Sequence, residues 1–176
     1  QYSTMKSPGF LLMTAFFLLF AHTSVAQEKD TARIGIYINS LYDFRIDNKS
    51  FMADFWMWVN HRQENSKFEN VIEITNSKSA EFSHFTTEKK SQGEWVTQKC
   101  KAEVMHQWDV SCFPFDKQLL RIEIEDSEYD TSRMVYMADT VNSRMDTTFN
   151  SKEWKINKFS IKEDVRSYNT TYGNPD

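Results

Sequence analysis

Glycine and proline are scarce, with 4 and 3 copies in 176 residues, which excludes collagen-like repeats and the Pro/Gly-rich disordered chains. Only two cysteines are present, so no disulfide scaffold holds the fold. An excess of basic charge is missing too. Lys and Arg total 21 against 25 Asp and Glu, a formal net charge of −4, and such a chain has no electrostatic footprint for nucleic acid. No nucleophile elbow, phosphate loop or metal-hydrolase spacing occurs, which points away from an enzyme and implies no cofactor. What is abundant is apolar and aromatic: 40% of residues are hydrophobic and 15% are Phe, Trp or Tyr. That is enough for one domain with its own core.

Residues 1–26 read as a segment apart from that domain. Lys6 is the only charge ahead of an apolar run from Phe10 to Phe20, about eleven residues where a membrane-spanning helix needs about 20. Ser24-Val25-Ala26 places small residues where a signal peptidase reads them, so a signal peptide cleaved before Gln27 is expected. Met5 is the expected start, with residues 1–4 upstream of it. The exported domain is then residues 27–176.

Periodicity in that domain is that of strands, with no convincing helix. Ile34, Ile36 and Ile38 alternate with Gly35, Tyr37 and Asn39, giving one apolar face. In residues 51–59 both faces are apolar: Phe51, Ala53, Phe55, Met57 and Val59 on one, Met52, Trp56 and Trp58 on the other. A strand of that kind is covered on both sides, so the outer aromatics call for a subunit or a ligand. Short strands are expected at 71–74 and 134–137, and a long one over 95–110. Leu120, Ile122 and Ile124 alternate cleanly with Arg121, Glu123 and Glu125. Trp154-Lys155-Ile156 and Phe159-Ser160-Ile161 differ in parity, which predicts a bulge near Asn157. Seven to nine strands in an antiparallel β-sandwich is the architecture implied.

Cys100 and Cys112 are twelve apart on or beside one extended stretch, which spans roughly 40 Å against the ~7 Å limit for a bridge. Both are expected to be free and buried. Asp126, Glu128 and Asp130 have the alternating spacing of a calcium loop and are weak calcium candidates, but Thr131 stands where such a loop needs Gly; a solvated acidic strand end is the expectation. His61, His84 and His106 show no metal-ligand spacing and read as surface side chains.

Residues 108–118, Trp-Asp-Val-Ser-Cys-Phe-Pro-Phe-Asp-Lys-Gln, read as a strand ending in an apolar loop. Pro114 breaks the ladder, and Phe113 and Phe115 flank it. A loop so hydrophobic calls for an apolar cover. The run Phe113-Pro114-Phe115-Asp116, then one residue and Gln118, closely resembles the signature loop of the pentameric ligand-gated ion channels, the Cys-loop receptor superfamily. In animal members two cysteines bracket that loop; their positions fall at His106 and Leu120 here, so the bracket is absent, as in the prokaryotic branch. The resemblance extends from about Arg33 to Gly173.

That resemblance implies a ligand-binding domain of the neurotransmitter-gated channel type on the periplasmic or extracellular face of a membrane channel subunit. It also implies a homopentamer, a small-molecule ligand bound between subunits, and a coupling loop made by Phe113, Pro114, Phe115, Asp116 and Gln118 resting on the membrane domain. Trp56 and Trp58 correspond to interface aromatics on one side of the ligand site, with Tyr136, Phe85 and Tyr168 as weaker candidates on the other; such rings hold cations by cation–π attraction. The family's last strand and four membrane helices are expected beyond Asp176. Two rivals remain: a secreted pore-less pentamer similar to the molluscan acetylcholine-binding proteins, and a carbohydrate-binding β-sandwich module using exposed tryptophans as sugar platforms.

Overall fold

The computed structural model describes residues 29–62, 68, 71–148, 154–170 and 172–173. The signal peptide expected over residues 1–26 lies outside them. Among the described residues the secondary structure is eight strands and no helix, so no helix there is long and apolar enough to cross a membrane. The strands are β1 (Asp30–Arg45), β2 (Ser50–His61), β3 (Ile72–Ile74), β4 (Ser77–Lys90), β5 (Gly93–Met105), β6 (Ile124–Asp126), β7 (Met134–Ala138) and β8 (Arg144–Met145).

Six strands form one sheet in the order β4-β5-β2-β1-β7, with β8 also pairing β1; β3 and β6 form a second, antiparallel pair. The β4–β5, β5–β2 and β2–β1 ladders are antiparallel. The purely antiparallel expectation fails at the β1 edge, where β7 and β8 both run parallel to β1. No tight hairpin links these elements, so nothing forces them antiparallel. Between β7 and β8 the Asp139 N–H donates to Ile34 O at 2.7 Å and the Ile36 N–H to the Ser143 hydroxyl at 3.1 Å, and just past β8 the Asp146 N–H donates to Ile38 O at 2.8 Å.

Register explains the two-faced pattern of β2. Phe51, Ala53, Phe55 and Val59 lie opposite Val104, Ala102, Cys100 and Val96 of β5, and all eight are buried. Ile72 and Ile74 of the small sheet join the same core cluster, so both sheets enclose one core. Burial pushes the Cys100 thiol up to about 12. Cys112, expected to be buried, is exposed, because it sits in a turn beyond the end of β5; both cysteines are free.

Elsewhere the strands depart from the sequence pattern. Residues 77–90, too polar to declare themselves, form a 14-residue hairpin arm with β5. That arm carries a bulge between Ser83 and Thr86, where His84 takes φ 55°. The strand expected over 95–110 stops at Met105. Leu120 and Ile122 pack against the core as their alternation requires, yet only Ile124–Asp126 enters a ladder. Trp154, Phe159 and Ile161 likewise pack on the core from a segment that belongs to none of the eight strands, so no bulge is defined at Asn157.

Candidate functional site

One end of the sandwich carries the apolar loop. Its root is a ring cluster from four chain segments: Trp108 lies 6.1 Å from Phe44, 5.6 Å from Trp154 and 4.6 Å from His106, and His106 is 6.2 Å from Phe51. Two hydrogen bonds fasten this root to the β1–β2 turn. The Trp108 indole donates to Arg45 O at 3.0 Å, and the His106 N–H donates to Lys49 O at 2.8 Å. Gln118 then closes the loop. Its Oε1 accepts from the Asp109 N–H at 3.2 Å and from the His106 Nε2–H at 3.3 Å, while its Nε2 donates to Asp109 O at 2.5 Å.

Beyond that clasp the tip folds on itself. The Ser111 N–H donates to Asp109 Oδ1, the Phe113 N–H to Val110 O and the Phe115 N–H to Cys112 O, and the Phe113–Pro114 peptide is cis. The hydroxyl and N–H of Ser111 hold the Asp109 carboxyl below its ordinary range. The tip side chains point outward: Phe113 is 75% exposed and Phe115 is 85% exposed. Asp116 behaves in the opposite way. Its Oδ1 is buried and has no hydrogen-bond partner among the described residues, a costly position for a carboxylate oxygen unless a donor arrives from elsewhere.

The sheet face turned away from the core carries the expected aromatics. Paired residues of an antiparallel ladder share a face, and Trp56 lies between Tyr37 of β1 and Lys99 of β5. His84 stands 5.9 Å from the Trp56 ring, and Lys99 pairs with Asp54 at 3.1 Å. Trp58, one pleat along, is committed differently. Its indole donates to Asp139 Oδ2 at 3.1 Å, and its ring fills the space over Gly35, where an added Cβ would fall 2.3 Å from it. Of the two tryptophans, Trp56 is therefore the one available to a ligand or subunit.

The remaining candidates sit elsewhere in the chain. Phe85 packs on the core from β4. Tyr136 packs on the core from β7, and its hydroxyl donates to Asp126 Oδ2 at 2.6 Å; burial and that carboxylate push its pKa well up. Tyr168 is exposed and donates to Glu125 at 2.5 Å, next to the Arg166–Glu123 ion pair at 3.0 Å. Phe85 and Tyr136 thus pack on the core, whereas Trp56 lies on the outer face of the sheet. Of the weak calcium candidates Asp126, Glu128 and Asp130, the two aspartates are occupied as turn acceptors. Asp126 Oδ1 takes the N–H groups of Glu128 and Tyr129, and Asp130 Oδ1 takes the N–H and hydroxyl of Ser132. Among the described residues no three carboxylate, His or Cys groups gather to hold a metal. His61 is not a surface residue: it is buried, 3.4 Å from Glu94, with its ring 4.4 Å from that of Phe68 and tilted to it.

Two features escaped the sequence reading. The His106–Gln118–Asp109 clasp had one signal, the Gln at a fixed offset from the Phe-Pro-Phe-Asp run. The Trp58–Asp139 bond joins residues 81 apart and had none.

Asp139 also fixes the sign of a pH effect. Burial raises its pKa, but hydrogen bonds from Asn142 and Trp58 outweigh that, so it lies below its ordinary value of 3.8. Glu103 is lowered in the same direction by Ser50 and Lys78. A carboxyl depressed by folding contributes stability that is complete above its unfolded value and is lost as pH falls through the folded one. The urea midpoint is therefore expected to fall as pH drops below about 4, and Asp139→Asn should flatten part of that slope. An unchanged slope in the variant would contradict the assignment.

No protein-family model matches the chain, and neither does any curated protein.

Proposed function

We propose that this chain is the periplasmic ligand-binding domain of a bacterial pentameric ligand-gated ion channel. The observation that carries the reading is the loop at residues 109–118. It combines an outward apolar tip, a root pinned by rings and hydrogen bonds, and an Asp116 oxygen left without a donor at its base. A loop of this build is suited to transmit displacement, because it is stiff where it joins the sandwich and incomplete where it leaves it. The missing donor is a basic group of the membrane domain. The resemblance of Phe113-Pro114-Phe115-Asp116 and Gln118 to the family's signature loop supports the same assignment.

In this reading five sandwiches form a ring and a small ligand binds between neighbours. Trp56 supplies the aromatic of one side, with Lys99 and His84 beside it. A ligand that binds the closed interface more tightly than the relaxed one shifts the ring toward the open pore, and only that difference in affinity drives the shift. The loop carries the movement to the membrane. The test is Asp116→Ala in the full-length subunit, with primary amines and acid steps as the activating probes. Maximal current should fall about tenfold, a change of ~1.4 kcal/mol in the gating equilibrium, while the thermal shift given by the same activator stays as in the unaltered protein. Loss of current and thermal shift together would contradict the coupling role.

A further inference from the structure

We propose that Lys78 is a positioning residue for the coupling end of the sandwich: from a bulge in β4 it reaches across the end of β5 and fixes the crest of the β1–β2 turn against the root of the 109–118 loop. The coupling role rests on the channel reading, whereas the strut itself is a property of this chain.

An irregularity places Lys78 for this. In the β4–β5 ladder Ser77 pairs with Val104 and Ser79 with Glu103, so Lys78 is the extra residue of a bulge. Bulges re-aim a side chain, and this one sends the ammonium past the neighbouring strand. Its Nζ donates to Asn48 O at 2.6 Å, in the turn between β1 and β2, and to Glu103 Oε1 at 3.3 Å. The base of the strut is held in place. Just before the bulge, Asn76 O accepts from the Met105 N–H at 2.7 Å, and the Asn76 side chain bridges Arg121 O and the Glu123 N–H at 3.0 and 2.9 Å. The Ser77 hydroxyl donates to Ile74 O at 2.8 Å.

At its far end the strut completes the turn. Arg45 O takes the Trp108 indole N–H at 3.0 Å, Lys49 O takes the His106 N–H at 2.8 Å, and Ile46 O takes the Lys49 N–H at 3.3 Å. The flanks of the turn are therefore tied to the loop root by Trp108 and His106, and its crest at Asn48 is tied to β4 by Lys78. Lys49 takes φ 51°, a left-handed conformation that a lysine adopts at a cost and keeps only when its surroundings enforce it.

An exposed Lys–Glu pair contributes little by itself. What sets Lys78 apart is its acceptors: a backbone carbonyl of another hairpin, and a Glu103 carboxylate that also takes the hydroxyl of buried Ser50 at 2.8 Å. In the channel reading, turn and loop root then move as one body.

Amide exchange in the chain measures the strut, and Lys78→Met keeps the aliphatic stem while removing the donor. It should speed exchange at the Lys49 and His106 amides about tenfold. The Asp139 amide, at the other edge of the sheet, should not change, and Lys78→Arg, which keeps a charged donor, should stay close to the unaltered chain. The same acceleration is expected in a Glu103→Gln background, because Asn48 O is still the acceptor. In the full-length subunit Lys78→Met should lower maximal current about fivefold, with the thermal shift given by the activator unchanged, and Lys78→Arg should restore it. Unaltered exchange at both amides would overturn the strut. So would an acceleration that disappears in the Glu103→Gln background, since Lys78 would then act only as the partner of Glu103. Faster exchange with full current would overturn the coupling role. A coding sequence without membrane segments would overturn the channel reading and the coupling role together, while the strut would still be decided by the exchange.

Discussion

Asp139→Ala is expected to lower the unfolding free energy by about 3 kcal/mol. The Asp139 carboxylate is 2% exposed and serves as acceptor for three donors: the Trp58 indole at 3.1 Å, the Asn142 side chain at 2.9 and 3.0 Å, and the Asn142 N–H at 3.1 Å. Alanine leaves all three without a partner in a site closed to water, and desolvated donors cost more to strand than their bonds contribute when made. The damage should be local as well as global. Asp139 is followed by the turn that carries Ser143, whose hydroxyl fills a gap in the β1 edge ladder. Urea unfolding followed by tryptophan emission would read both effects. A loss under about 1 kcal/mol would mean that water reaches these donors after all.

Gly35→Val should have an effect of similar size, about 3 kcal/mol, from overpacking. Gly35 lies opposite Trp58 in the β1–β2 ladder, and the nearest ring atoms would be 2.3 Å from a Cβ added there. Backbone strain is not the cause, since the glycine is needed for space and not for an unusual φ. The distinction can be measured. In a Trp58→Ala background the valine should cost under 1 kcal/mol, because the ring it strikes has gone. An equal cost in both backgrounds would place the clash elsewhere.

In the channel reading proposed above, these two changes would bear on ligand binding through Trp56. With Trp58 fixed by Asp139 below and Gly35 opposite, the outer face of β2 presents Trp56 from a rigid position between Tyr37 and Lys99. An aromatic side chain held in one place would lose little freedom on binding a ligand.

The sheet was legible where burial is one-sided or complete. The alternation around Ile36 and the double apolar pattern of residues 51–59 led directly to β1 and β2, because period-two burial leaves period-two sequence. β4 was not legible. It is an edge arm with a mostly exposed face, and Lys89, Lys90, Thr86 and Thr87 look no different in a loop. The alternation at residues 120–124 was real as burial but overstated as a ladder, since side-chain pattern records which face is covered and not whether a backbone partner is present. For the site, the Phe-Pro-Phe-Asp run and Gln118 stood out as a local motif. The ring cluster that roots it draws Phe44, Phe51, His106, Trp108 and Trp154 from distant segments, and no local window of sequence holds such a contact.

The parallel pairing of β7 and β8 along β1 belongs to the same class. It depends on where the chain returns after about ninety residues, and the short apolar run at 134–137 predicts a strand without predicting its neighbour.

Sequencing the coding DNA beyond the codon for Asp176 tests the central claim most directly. The channel reading predicts one more strand of alternating polarity and then four apolar segments of about 20 residues, each long enough to cross a bilayer. A stop within about 40 codons would leave no room for a pore and would contradict it, and the chain would then be a binding protein without a channel.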